Sequence, residues 1–116
     1  MAKQIKTKNI TISENDGNFL TIFQKFRGEN KNSDISDLRQ LLSNEKARLL
    51  HTAKNKQPES VYKLAKLLNR DFKSVRHDIR LLEKFGMIEL VSSHKKGRER
   101  LRPIVETDQI IITINL

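Results

Sequence analysis

The sequence predicts an α+β fold in which three consecutive helices precede a β-hairpin, with further strands at both ends of the chain. Two amphipathic segments over residues 60–86 predict a pair of helices joined by a tight turn. Two short apolar segments flank a basic turn that contains Gly97, and they predict the hairpin, with strands at 87–92 and 99–105. A chain of 116 residues is long enough for one modest core.

Strands are predicted at both ends of the chain. Lys3–Ser13 alternates loosely between isoleucine and polar residues, which favours a strand that pairs with another at the far end of the chain. Gln109–Leu116 is rich in β-branched residues, which favour strands. An unpaired edge of that composition would promote aggregation, so we expect this strand to pair internally or across a dimer.

A helix is predicted over Asp16–Arg27, because its apolar residues recur at helical spacing. These residues are Phe19, Leu20, Ile22, Phe23 and Phe26. The helix either packs on the main core or forms a dimer or partner contact, and we favour the second because the helices that follow can close a core without it. The polar segment Gly28–Ser36 is the best internal boundary, so 1–36 is interpreted as an N-terminal extension and 37–116 as the main domain.

The main domain is expected to begin with a short helical turn over Asp37–Leu42. Ser43 then has the side chain of an N-cap, and the helix it starts is predicted over 43–55, ending before Pro58.

The next two helices are predicted over 60–69 and 72–85. Ser60 and Asp71 are placed to cap them, Asn69 tolerates the left-handed conformation that ends the first, and Gly86 ends the second. The apolar stripes are Val61, Leu64, Ala65 and Leu68 in the first helix, and Phe72, Val75, Ile79 and Leu82 in the second.

The second of these helices also has a basic face. At about 100° per residue, four side chains share one narrow sector, with Arg76 beside it. They are Lys73, His77, Arg80 and Lys84. Two helices joined in this way form a helix-turn-helix, whose second helix enters the DNA major groove and reads base edges near its N-terminus, where Ser74 also lies. The alternative interpretation is a solvated surface helix.

The hairpin adds a second basic surface. Within nine residues it contains His94, Lys95, Lys96, Arg98, Arg100 and Arg102. A basic loop is often merely solvated, but directly after a helix-turn-helix it is typical of a wing that contacts phosphates or the minor groove. The predicted fold is therefore a winged helix-turn-helix, with DNA contacts from the helix face and from Lys95, Lys96, Arg98 and Arg100.

The segment SVYKLAKLLNRDFKSVRHDIRLLEKFGMIEL resembles the core of small prokaryotic MarR-like winged helix-turn-helix proteins. The matching positions are Ser60, Val61, Leu64, Ala65, Leu68, Arg70, Asp71, Val75, Asp78, Ile79, Leu82, Glu83, Gly86, Met87 and Ile88. The later LRPIVETDQIIITI is similar to that group's ending, so the resemblance covers about 43–114. It implies this fold and DNA binding, and some members resemble antitoxins of toxin–antitoxin pairs.

The charge distribution agrees with a DNA partner. The net charge is +9, and Ser60–Pro103 alone has 12 Lys and Arg against 5 Asp and Glu. The chain has no cysteine, and its histidines show no metal-binding spacing. With no nucleotide-binding glycine loop either, we expect neither an enzyme nor a cofactor. Because there is no secretory signal or membrane span, we expect a cytoplasmic protein.

Two functions remain open. The first is a sequence-specific transcriptional regulator that binds double-stranded DNA as a homodimer. The second is an antitoxin that neutralises a cognate toxin through its N-terminal region and uses DNA binding to regulate its own operon. In that case the helix expected over Asp16–Arg27 would provide the partner surface.

Overall fold

The computed structural model describes residues 4–24 and 30–116 of the chain. Within them it has four helices and six strands, so the predicted α+β class is confirmed. The elements are β1 (Thr7–Asn15), β2 (Asn18–Gln24), β3 (Asn30–Asp34), α1 (Ile35–Leu41), α2 (Asn44–Lys56), α3 (Val61–Leu68), α4 (Phe72–Lys84), β4 (Glu89–Lys95), β5 (Arg98–Ile104) and β6 (Gln109–Asn115).

The strands form two sheets. One is the antiparallel hairpin β4–β5, and the other has four strands in the order β3-β2-β1-β6. Strand β6 runs parallel to β1, with Ile112 opposite Ile10, so the predicted pairing between the two ends of the chain is confirmed. Ile10 and Ile12 face the core from the middle of this sheet.

The predicted helix over Asp16–Arg27 is wrong, because residues 16–24, the part of this segment that the structure describes, form a turn and strand β2. Asp16 and Gly17 both have positive φ, 51° and 82°, which is the conformation of a two-residue hairpin turn. After this turn the side chains alternate between the two faces of the sheet, with Thr21 and Phe23 buried and the intervening Ile22 exposed.

This correction changes the expected partner surface. Phe23 is only 1% exposed, and its ring lies 4.4 Å from that of Phe85, so it belongs to the core of its own chain. Phe19 and Ile22 are exposed on β2, whereas Phe26 lies outside the described residues. Within the polar segment Gly28–Ser36, which was predicted to be the internal boundary, Asn30–Asp34 forms strand β3 and pairs with β2.

The three predicted helices of the main domain are confirmed as α2, α3 and α4, within one residue at most ends. Each begins at the predicted N-cap, whose side chain accepts a hydrogen bond from a backbone N–H of the first turn. These bonds are Lys46 N–Ser43 Oγ (3.2 Å), Lys63 N–Ser60 Oγ (3.0 Å) and Ser74 N–Asp71 Oδ2 (3.1 Å).

A single apolar core joins the helices to the four-stranded sheet. Phe23 of β2 stacks against Phe85 at the end of α4, and Ile10 and Ile12 complete the sheet side of this core. The helix side is formed by Leu49, Leu64, Val75, Ile79 and Leu82, all fully buried. The sheet therefore packs directly against the helices, including α4.

The segment between β5 and β6 is bonded both to α2 and to Lys6, the residue before β1. Lys54 of α2 donates to the carbonyl of Thr107 (2.9 Å) and pairs with Asp108 (2.9 Å). The backbone N–H of Lys6 donates to the Asp108 carboxylate (3.0 Å), and the Asp108 N–H donates to the Lys6 carbonyl (2.8 Å). These bonds set β6 beside β1. None of the helices in the described ranges is long and apolar enough to cross a membrane.

Truncating a core residue tests the packing of α3 and α4. Leu64 and Ile79 are each 0% exposed, so Leu64→Ala and Ile79→Ala should lower the free energy of unfolding by about 2–5 kcal/mol. Leu67 of α3 is 45% exposed, and Leu67→Ala is the matched control with a small expected effect. Urea denaturation measures all three, and equal midpoints would contradict this packing.

Candidate nucleic-acid interface

The connection between α3 and α4 is short and fully determined by local hydrogen bonds. Asn69 adopts the left-handed conformation, with φ 53° and ψ 46°, and ends α3. The N–H of Arg70 then donates to the carbonyl of Ala65 (3.0 Å), which satisfies a free carbonyl of the last helical turn. Asp71 immediately caps α4, so three residues change the direction of the chain between the two helices.

A buried carboxylate fixes the orientation of α4. Asp78 is 6% exposed, and its Oδ2 accepts a hydrogen bond from Arg70 Nη1 at 2.8 Å. Its Oδ1 lies 3.6 Å from Lys46 Nζ of α2. Arg70 also approaches Glu45 at 3.4 Å. Asp78 therefore connects α4 both to the turn that precedes it and to α2.

The opposite face of α4 is solvent-exposed and basic. Lys73, His77 and Arg80 are exposed, while Val75 and Ile79 on the other side are fully buried. None of the three exposed side chains makes an ion pair or side-chain hydrogen bond with any residue in the described ranges. Their charges and donors are therefore available to a ligand outside the chain.

Three other predicted contact residues of α4 have partners within the chain. Ser74 Oγ lies 3.4 Å from the Asp71 carboxylate. Lys84 donates a hydrogen bond to Asp37 of α1. Arg76 is half-buried, and its Nη1 lies 3.8 Å from Glu83 Oε1, beyond hydrogen-bonding distance.

The hairpin β4–β5 presents a second basic surface at its tip. Lys96 and Gly97 both have positive φ, 53° and 77°, as a tight two-residue turn between strands requires. Lys96 and Arg98 are exposed and unpaired with respect to the described part of the chain. The strand register places Lys95 opposite Arg98.

Two cations of the hairpin are partly neutralised by one carboxylate. Glu59, which lies just before α3, approaches Lys95 Nζ at 3.5 Å and Arg100 Nη1 at 3.4 Å. All three side chains are substantially exposed, so each pair is weak and open to exchange. The four predicted hairpin cations thus divide into two that have no partner among the described residues, Lys96 and Arg98, and two that share Glu59, namely Lys95 and Arg100.

A cleft of about 570 Å³ separates α3 and the start of α4 from β5. Two exposed aromatic rings line it, Tyr62 (58% exposed) and Phe72 (45% exposed), and Lys66 Nζ lies 4.8 Å from the centre of the Tyr62 ring. Phe72 was expected in the apolar stripe of α4, but unlike Val75, Ile79 and Leu82 it is exposed and lines this cleft. Sequence reasoning also missed Tyr62, although it lies outside the apolar stripe of α3.

No group of three His, Asp or Glu side chains within residues 4–24 and 30–116 is arranged to hold a metal ion. Asp78 and Glu83, the carboxylates of α4, are both partners in ion pairs.

One family model matches the chain, over residues 41–112. The chain belongs to the HVO_A0114 family. The matched region runs from the end of α1 to the middle of β6, so both basic surfaces of this chain lie within it. The family's name states neither an activity nor a partner, and no curated protein matches the chain. The resemblance to MarR-like proteins therefore stays a prediction from the motif.

Removing the Asp78 charge should destabilise the fold. The Lys46 and Arg70 side chains are only 12% and 22% exposed, so Asp78→Asn leaves two largely buried cations without their anion. We expect a loss of about 3 kcal/mol in the free energy of unfolding. Glu45→Gln is the control, because Glu45 is 72% exposed and contacts the same Arg70. Urea denaturation should separate the two variants, and equal losses would contradict the role of Asp78.

The Asp37–Lys84 contact predicts a pH-dependent contribution to stability. The hydrogen bond from Lys84, followed by one from Ser33, holds the pKa of the Asp37 carboxyl below its ordinary value. Because the folded state favours the ionised form, this contribution is complete above about pH 5 and is lost as pH falls through the lowered pKa.

The melting temperature of wild type should therefore exceed that of Asp37→Asn at about pH 6, and the difference should shrink below about pH 4. In a Lys84→Met background the same substitution should show a much weaker pH dependence. A difference between wild type and Asp37→Asn that is constant from pH 6 to pH 3 would disprove the linkage.

Proposed function

We propose that this protein is a sequence-specific, double-stranded DNA-binding transcriptional regulator that acts as a homodimer through a winged helix-turn-helix. In this proposal α3 and α4 are the helix-turn-helix, with α4 in the major groove, and β4–β5 is the wing. The observation that carries it is the basic face of α4, where Lys73, His77 and Arg80 are exposed and without partners in the described chain.

Base reading is assigned to the N-terminal half of α4. Helices of this type contact base edges mainly through their first turns, which here present Lys73, Ser74 and His77, with Arg80 one turn further. An arginine at such a position can donate two parallel hydrogen bonds to guanine O6 and N7. Arg80 suits this role better than Arg76, because Arg76 is half-buried beside Glu83.

Phosphate binding is assigned mainly to the tip of the hairpin. Lys96 and Arg98 are exposed and can approach the backbone without breaking an existing ion pair in the described chain. Lys95 and Arg100 must first exchange Glu59 for a phosphate, and Lys84 must exchange Asp37. Their net contributions to affinity should therefore be smaller, because each new phosphate contact replaces an ion pair within the protein.

The experiment compares α4 with the hairpin tip. A preferred duplex is first selected from a random pool with wild-type protein, and then it and a scrambled duplex are titrated at several salt concentrations. Arg80→Ala should reduce the preference for the selected duplex by about 1–3 kcal/mol. Lys96→Ala and Arg98→Ala should weaken both duplexes alike and lower the slope of log K against log salt by about 0.9 each.

Lys6→Ala is the matched control, because it removes one exposed cation beside the four-stranded sheet, where Lys6 pairs with Glu106. It should change neither the preference nor the salt slope appreciably. The two assignments would be reversed if Arg80→Ala weakened binding to both duplexes equally while Lys96→Ala reduced the preference for the selected duplex. Failure of wild type to bind any duplex would remove the proposal.

A further inference from the structure

Strand β6 is an uncovered edge of the four-stranded sheet. It pairs with β1 on one side, and no strand within the described residues pairs with it on the other. Alternate residues of such an edge direct their N–H and C=O groups outward, where they can bond another strand. Its apolar side chains are exposed as well, with Ile111 43%, Ile112 36% and Ile114 58% accessible.

The composition of β6 lacks the usual protection of an edge. The strand QIIITIN has no charged residue and no proline, whereas natural edges commonly carry one or the other. The opposite edge of the same sheet, β3, is shorter and carries Lys31 and Asp34. The two edge strands therefore differ in composition, and of the two it is β6 that we expect to pair with a further strand in the assembled protein.

We propose that β6 pairs in antiparallel register with β6 of a second copy of this chain, about a two-fold axis at Ile112. Two four-stranded sheets would then join into one continuous sheet across the homodimer. The inference deepens the proposed function, since it assigns the surface that forms the homodimer assumed there.

The order of residues in β6 favours a second copy as the occupant. A two-fold axis at Ile112 places Ile110 opposite the partner subunit's Ile114 and Ile111 opposite the partner subunit's Thr113. Gln109 then meets the partner subunit's Asn115, so the polar ends match each other. Every central pair is β-branched, which is a favourable cross-strand combination. An isologous interface requires this kind of self-complementarity.

The faces of the sheet also agree with this register. Ile110 and Ile112 share the inner face of the sheet with Ile10, because paired residues of adjacent strands point to the same side. The proposed pairing extends this row of isoleucines into the second copy and covers Ile112 and Ile114.

Charge does not oppose the contact, although each chain has a net charge of +9. Residues 107–116 contain no Lys or Arg, and their single charged side chain, Asp108, is paired with Lys54 at 2.9 Å. Two copies can therefore approach through β6 with their basic surfaces elsewhere.

Sedimentation equilibrium without DNA tests the association, so its outcome does not depend on DNA binding. Wild type at tens of micromolar should sediment at twice the chain mass of 13.5 kDa. Ile112→Lys places two like charges opposite each other on the axis and should sediment at 13.5 kDa. Leu116→Lys adds the same charge just beyond the strand, at a residue that is 98% exposed, and should remain dimeric. Far-UV circular dichroism checks that each variant is folded.

Disulfide cross-linking tests the register, since the chain has no cysteine of its own. Ile112→Cys should form a covalent dimer on mild oxidation, because the two copies of this residue face each other. Ile114→Cys should not, since its two copies would lie about 13 Å apart along the strands. The double variant Ile110→Cys/Ile114→Cys should again cross-link.

A monomeric wild type would overturn the proposal, and so would an Ile112→Lys variant that stays dimeric. If wild type is a dimer but Ile112→Cys fails to cross-link, or cross-links no better than Ile114→Cys, the interface lies elsewhere.

Discussion

The arrangement of the helices depends on the burial of the Asp78 carboxylate between Arg70 and Lys46. Each of these groups comes from a different part of the helical unit: α4, the turn before it, and α2. A buried ion pair adds little net stability compared with apolar packing, but it strongly penalises arrangements that separate the charges. Here it restricts how α4 can rotate or slide against α2. The exposed basic face of α4 is therefore presented in one orientation, which the proposed binding to a rigid duplex would require.

The helical half of the fold could be predicted because its signals are local. Ser43, Ser60 and Asp71 cap their helices through atoms three residues away, and Asn69 and Gly86 end theirs through their own backbone conformations. The four-stranded sheet was harder. Phe19, Ile22 and Phe23 have helical spacing, and only the turn at Asp16–Gly17 distinguishes a hairpin from a helix. Strand β3 is polar and forms through backbone pairing, so its side chains carry no signal.

The positions of the basic side chains could be predicted from the sequence, but which of them are paired with a carboxylate could not. Lys84 and Asp37 are 47 residues apart in the chain, and Arg100 and Glu59 are 41 apart. Such partners come together only through the tertiary fold, and no periodicity identifies them. The structure consequently divides the ten predicted contact residues into those that have a partner among the described residues and those that have none there, such as Arg80 and Lys96. The aromatic cleft beside Tyr62 depends in the same way on where β5 packs.

The parallel pairing of β1 with β6 has a consequence for how the chain acquires its structure during synthesis. Ile10 of β1 pairs with Ile112 of β6, so the sheet cannot be completed until β6 has left the ribosome. The helices and the β4–β5 hairpin rely on much more local contacts and can form earlier. Until then β1 has an open edge beside β2. Nascent chains on one message therefore expose the free edge of β1 for as long as its partner β6 is still to be made.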